Sequence, residues 1–237
     1  MNLKIASEDE WVAARKALLV KEKEMSRAQD ALAAQLRELP MVKVAKEYTF
    51  TTASGAPVTL RDLFGDKKQL IVYHFMLGPG EAEGCAGCSF MAEHFADPRL
   101  LATRDTAFTA VSRAPIADIE AYRARTGWRF PWVSSYGSDF NYDFQVTLDD
   151  THGTYNFRTR AEAEQLGKRA PGNGDMPGLT VFFREGEHVY RTYSAYARGL
   201  ERFANTFQFL DVTPLGRQDG PRGPGEFKRN YEYDVEE

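Results

Sequence analysis

The chain contains two cysteines, Cys85 and Cys88, separated by two residues. A loop that short cannot tie distant segments together, so the pair points to chemistry and not to a structural staple. A thiol becomes a nucleophile only on losing its proton, and a helix N-terminus lowers that cost through unpaired backbone N–H groups and the helix dipole. Cys85 is expected at such a terminus: the Gly/Pro loop from Leu77 to Gly84 leads into it, and residues 89–96 can be helical before Pro98. Cys88 would then lie one turn inside, close enough to attack a mixed disulfide on Cys85 and release the product. In an intracellular chain, a Cys-x-x-Cys beside a βαβ pattern is the signature of dithiol–disulfide cycling.

Two plainer uses of the pair compete with that reading. Two thiolates are half of a tetrahedral zinc site, which needs two further Cys or His ligands. The sequence has no other cysteine, and His94, nine residues beyond Cys85, falls about half a turn out of phase on a helix. No metal and no cofactor is therefore expected. The pair could instead be two inert core thiols, but Gly84 and Gly87 would leave backbone accessible around the sulfurs. Two more residues stand as supports. Arg113 follows the strand 106–112 and should emerge near the thiols, where a permanent charge favours a thiolate, or else pair at the surface with an acid such as Asp118. His74 lies in the strand that leads to Cys85, and could carry protons for Cys88 or simply satisfy a backbone group in the core.

These side chains need a scaffold, and the sequence supplies an alternation of strand and helix. Gln69 to Met76 is a near-continuous apolar run suited to a central strand buried on both faces. Residues 106–112 and 130–133 read as further strands, with a helix over 116–125 between them, which makes an α/β fold with right-handed crossovers. Residues 48–51 and 58–60 form a hairpin around Ser54-Gly55, and 179–183 and 188–193 form a second around Arg184 to Glu187. A last helix spans 200–210. Residues 149–176 are polar, lack an apolar period and read as an insertion, either a lid or a solvated loop. Residues 1–40 hold a helix with capping-box spacing at Ser7 and Glu10, and Trp11, Leu18, Met25, Leu32 and Leu39 repeat every seven residues. That stripe either docks along the domain of residues 41–211 or pairs two copies into a homodimer. Residues 212–237, rich in Gly and Pro, read as an irregular tail.

Several segments carry a resemblance. Met176-Pro177 at the head of an apolar strand resembles the thioredoxin superfamily, in which a cis-Pro opens the strand facing the Cys-x-x-Cys. Residues 48–76 resemble the start of peroxiredoxins. Gln69 to Phe75, Gly84-Cys85-Ala86-Gly87-Cys88-Ser89-Phe90, Val111 to Pro115, Gly127 to Ser135 and Thr192 to Gly199 resemble the bacterial family catalogued as domain of unknown function 899. The resemblance implies a thioredoxin-like, peroxiredoxin-related α/β fold with a central mixed sheet, a cis Met176–Pro177 bond against the thiols, and dithiol–disulfide oxidoreductase activity. Two departures from ordinary thioredoxin suggest a specialised substrate site: no Trp precedes Cys85, and the interval from Cys88 to Pro177 is long.

The expected protein is thus a cytoplasmic thiol–disulfide oxidoreductase acting on a protein or small-molecule thiol or disulfide. In it Cys85 attacks, Cys88 resolves, and Arg113, Pro177, His74, Gly84 and Gly87 support them. A thiol peroxidase, in which a sulfenic acid on one cysteine condenses with the other, and a non-catalytic scaffold on the same fold are the alternatives. Thirty basic against thirty-four acidic side chains, a net charge of -4, remove the usual electrostatic basis for holding nucleic acid. The charged first twenty residues do not read as a signal segment, and no run is apolar enough for a membrane span.

Overall fold

The computed structural model describes residues 4–168 and 170–233. It divides into two units, Met1–Pro40 and Met41–Glu237. The first is a single helix, α1 (Glu8–Arg37), started by a capping box in which the Ser7 hydroxyl accepts from the Glu10 N–H and the Glu10 carboxylate accepts from the Ser7 N–H. That satisfies N–H groups that a helix start leaves unpaired.

In the second unit the elements run β1 (Val42–Lys43), β2 (Thr49–Thr51), β3 (Pro57–Thr59), β4 (Gln69–His74), α2 (Ala86–Ala92), α3 (Pro98–Ala102), β5 (Thr106–Ser112), α4 (Ile116–Thr126), β6 (Trp132–Ser134), α5 (Phe140–Asp143), β7 (Thr147–Leu148), α6 (Arg160–Gln165), β8 (Gly174–Asp175), β9 (Gly178–Glu185), β10 (His188–Tyr196) and α7 (Asn205–Asp211). Eight strands form one sheet in the order β1-β10-β9-β4-β5-β6-β2-β3, while β7 and β8 make a separate pair. The strands β4, β5 and β6 are parallel, and β9 and β10 return antiparallel as a hairpin beside β4. A βαβ unit followed by a ββα unit, joined at β4 and β9, is the thioredoxin-like arrangement.

Central position explains the composition of β4. Leu70, Val72, Tyr73 and His74 are all buried, because helices or loops cover both faces. Side chains alternate along it. Ile71, Tyr73 and, just beyond the strand, Phe75 enter one core with Cys88, Phe90, Ile119, Tyr122, Trp132 and Phe207, while Leu70 and Val72 enter the opposite core with Phe50, Phe64, Phe140 and Phe182. The α2, α4 and α7 helices thus lie on one face and α5 on the other, where Phe50 of β2 also points. Gly127 ends α4 at φ 72°, a left-handed conformation that glycine adopts without steric cost.

Three sequence expectations change here. The helix after the thiol loop starts at Cys85 as its N-cap, as expected, but ends at Ala92, short of residue 96. The final helix is split into a 3-10 stretch over Ala197–Phe203 and α7. The insertion is closed at its base by the β7–β8 pair and carries α6, which starts on its own capping box at Thr159 and Glu162.

Candidate functional site

Cys85 is the N-cap residue of α2 and is half-buried, whereas Cys88 is buried one turn further on. Both are free thiols. The loop from β4 is held back on the strand: the Cys85 N–H donates to the Met76 carbonyl at 3.0 Å, and the Met76 N–H points at Cys88 Sγ at 3.5 Å. The Cys85 carbonyl accepts from both the N–H and the hydroxyl of Ser89, each at 2.9 Å, and the Ser89 hydroxyl also meets the Tyr122 hydroxyl at 2.9 Å. The start of α2 is therefore fixed before any substrate arrives.

The two sulfurs sit in opposite electrostatic environments. A hydrogen bond from the Cys88 side chain is the main influence that lowers the Cys85 pKa, to about 6 from an ordinary 9.0; burial opposes it, and the backbone N–H groups of Cys88 and Gly87 and then the charge of Arg229 add to it. Burial pushes Cys88 well above the usual thiol range, and its role as donor to Cys85 pushes the same way. Both shifts favour keeping the proton on Cys88 and the negative charge on Cys85. The buried Tyr73 hydroxyl stands in the field of both thiols, more strongly that of Cys88. Its hydroxyl makes no formed hydrogen bond, so its coupling to Cys88 is electrostatic.

Gly84 has a packing reason to be glycine. A Cβ there would lie 2.5 Å from the Phe75 ring and 2.8 Å from that of Tyr122. Gly87 is different: its missing Cβ would meet Pro224 and Gly225 at 3.7 Å and Cys85 Sγ at 3.9 Å, ordinary contact distances.

The C-terminal segment, read from the sequence as irregular, is part of the site. Its 3-10 turn at Gly223–Glu226 packs on α2, and Phe227 stacks on Phe90 with ring centroids 4.3 Å apart. Arg229 donates through Nη2 and Nε to the Gly84 carbonyl at 2.8 and 3.2 Å, and is itself held by Glu232 at 2.9 Å and Glu83 at 3.5 Å. Tyr231 lies edge-on to Tyr122. The segment thus supplies the cation that the sequence reading assigned to Arg113.

Arg113 itself goes elsewhere. Its Nε donates to Asp175 Oδ1 at 2.7 Å, an oxygen that also accepts from the Thr147 hydroxyl at 2.6 Å, and its guanidinium lies 5.8 Å from the centre of the Tyr142 ring. It lines a different cavity, with Pro79, Ser135 and Tyr142. The partner is neither thiolate nor Asp118, because β8 at the base of the insertion presents a carboxylate to the end of β5. His74 also points away from the thiols. Strand alternation puts Tyr73 on the thiol side and His74 on the other, where it stacks on Phe140 and Phe144 and its Nε2 bonds the Thr180 hydroxyl at 2.9 Å. Burial lowers its pKa to about 3, so it stays neutral.

Pro177 does line the cavity of the two cysteines, and β9 does run antiparallel to β4. The expected cis bond is absent: among the described residues no peptide is cis, so Met176–Pro177 is trans. The neighbouring backbone is anchored instead by the Tyr155 hydroxyl, which donates to the Pro177 carbonyl at 2.9 Å and accepts from the Ala197 N–H at 3.1 Å, and by the Met176 N–H, which donates to Val146. That cavity encloses about 490 Å³. No group of three metal-ligating side chains converges among the described residues, and His94 is engaged with the Phe90 carbonyl and Thr206.

The profile of a family described as "Bacterial protein of unknown function (DUF899)" matches residues 1–233. No curated protein matches the sequence. Similar solved structures include peroxidoxin BcpB from Mycobacterium tuberculosis, at 15% identity over 73% of this chain and 97% of that one, TM-score 0.45. Peroxiredoxin Q from Xanthomonas campestris has 16% identity over 72% and 97%, TM-score 0.42. A secreted M. tuberculosis disulfide oxidoreductase homologous to E. coli DsbE has 14% identity over 67% and 92%, TM-score 0.37.

Proposed function

We propose, from the premise that this chain belongs to the DUF899 family of bacterial proteins of unknown function, that it is a thiol–disulfide oxidoreductase with Cys85 as nucleophile and Cys88 as resolving thiol. One observation carries the reading: a half-buried thiol at the start of α2 and a buried thiol one turn on line one cavity, in surroundings that lower the pKa of the first and raise that of the second. With a pKa of about 6, roughly nine-tenths of Cys85 is ionised at pH 7, against about one-hundredth for a thiol at 9.0.

The steps follow from the two environments. Cys85 thiolate attacks one sulfur of a disulfide, forming a mixed disulfide and expelling a thiolate. Once Cys85 is no longer anionic, the hydrogen bond from Cys88 loses its charged acceptor. With the Cys85 charge gone, one of the influences that held the Cys88 proton is removed, and the expelled thiolate or water carries that proton away. Cys88 then attacks Cys85 Sγ, the second substrate thiolate leaves and is protonated from solvent, and the protein holds a Cys85–Cys88 disulfide. Two electrons pass from the dithiol to the substrate; with the opposite supply of partners the same steps run backward.

The test is trapping. Cys88→Ser, treated with a small disulfide, should accumulate one mixed disulfide on Cys85, visible by intact mass. Cys85→Ser should accumulate little, because Cys88 is buried and protonated. Preferential adduct formation on Cys88 would overturn the assignment of roles.

A further inference from the structure

The backbone beside Cys85 offers few free hydrogen-bonding groups to a polypeptide. The backbone beside the thiols at residues 176–178 is already engaged: the Met176 N–H by the Val146 carbonyl, the Pro177 carbonyl by the Tyr155 hydroxyl, and Gly178 by β4 on one side and β10 on the other. Pro177 has no N–H to offer. An extended peptide disulfide would need some of those groups for strand-like pairing. On the opposite side, Pro224 and Gly225 wall the cavity next to Gly87, in a segment pinned by Phe227 on Phe90 and Arg229 on Gly84.

What remains is a pocket of about 490 Å³ with apolar walls from Met76, Met91, Pro177, Leu200 and Pro224. Such a volume falls within the range of about 300–1,000 Å³ common for small-molecule sites. Its charged lining is internally paired, Arg198 with Glu201 at 3.1 Å and Arg222 with Glu226 at 3.2 Å, which favours an uncharged occupant. One buried donor stands close by: Tyr73 is a lining residue of this cavity, and its buried hydroxyl, beside the Cys88 thiol, makes no formed hydrogen bond. A buried phenol without a partner costs stability, and a ligand acceptor would relieve that cost.

From these features we infer that the substrate is a low-molecular-weight, uncharged disulfide with an apolar body, and that Tyr73 donates a hydrogen bond to it. The inference rests on the thiol–disulfide reading above and narrows it. The overall step balances as one small disulfide plus the Cys85–Cys88 dithiol giving two small thiols plus the Cys85–Cys88 disulfide.

The experiment follows oxidation of the fully reduced full-length chain in a single turnover, with hydroxyethyl disulfide, dithiodipyridine and insulin as oxidants. Each rate is divided by that of free dithiothreitol with the same oxidant, which cancels the intrinsic reactivity of the disulfide. The two small disulfides should show an enhancement about tenfold or more above that of insulin. Tyr73→Phe should weaken saturation by the small disulfides several-fold while leaving the pH at which Cys85 ionises unchanged. An insulin enhancement equal to or above that of the small molecules would overturn the substrate inference and leave the redox reading intact. Failure of all three oxidants to produce a Cys85–Cys88 bond would instead sink the redox reading itself. If Tyr73→Phe leaves saturation unchanged, the role of the phenol is wrong.

Discussion

Replacing Cys88 by alanine and by serine separates the forces that ionise Cys85. The largest of them is the hydrogen bond donated by the Cys88 side chain, ahead of the backbone N–H groups at the start of α2 and the charge of Arg229. Alanine removes that donor and leaves the rest; serine keeps an O–H in nearly the same place. A hydrogen bond to a charged group contributes about 1.5–3 kcal/mol, and each pKa unit corresponds to about 1.4 kcal/mol. Cys88→Ala should therefore lift Cys85 from about 6 to between about 7 and 8, while Cys88→Ser should stay close to 6. Each variant has a single cysteine, so ultraviolet absorbance of the thiolate against pH reports Cys85 alone, and iodoacetamide rates provide an independent reading. If the alanine and serine proteins titrate together, the neighbouring thiol is not what holds the charge, and the account of unequal proton sharing fails.

Arg229→Met should raise the Cys85 pKa by less than one unit, since the guanidinium is a minor contributor already shared with Glu232 and Glu83; an unmoved titration would remove the tail from the electrostatics of the site. Arg113→Met should leave Cys85 titration unchanged but lower the melting temperature, at a cost of about 2 kcal/mol for stranding the largely buried Asp175 carboxylate. Gly84→Ala should destabilise by about 1–3 kcal/mol through overpacking against Phe75 and Tyr122, read by thermal unfolding. In the reduced protein, the lowered Cys85 pKa contributes stability that is complete above pH 9 and lost as pH falls through 6, so denaturant midpoints should rise across that window, and Cys85→Ala should flatten the rise. His74 acts lower on the scale: it stays neutral when folded but takes a proton when unfolded, so stability should fall as pH drops from 6.5 toward 3, and His74→Gln should reduce that loss.

The core of the fold was legible because β4, β5 and the β9–β10 hairpin write their burial into short apolar runs, and because the thiol spacing selects one end of one helix. Gly84 was legible as a residue near the sulfurs, though not its reason, which is two rings that approach from β4 and α4. His74 takes the plainer of its two readings, a core group: on a strand, adjacent residues face opposite cores, and spacing alone could not say that Tyr73 held the thiol side. For Arg113 the alternative of pairing with an acid holds, but with a different acid from the one the sequence suggested. Its partner Asp175 belongs to a strand pair closing an insertion with no apolar period, and such a pairing is set by tertiary packing. The trans Met176–Pro177 bond overturns an expectation taken from resemblance and not from the residues. The tail was the largest omission. Gly and Pro obscured it, yet Phe227, Arg229 and Tyr231 cluster there, and aromatic and Arg side chains in a Gly/Pro-rich stretch are a signal of docking onto a folded surface.

The central claim is that Cys85 and Cys88 exchange two electrons as a pair, and a glutathione redox titration of the full-length chain, quenched with acid and read by intact mass, tests it most directly. The account predicts a single transition between the dithiol and an internal disulfide two mass units lighter, with no glutathione retained and no transition in Cys85→Ser. A chain that keeps both thiols reduced across the titration, or that holds glutathione on Cys85 without closing the internal bond, would contradict it.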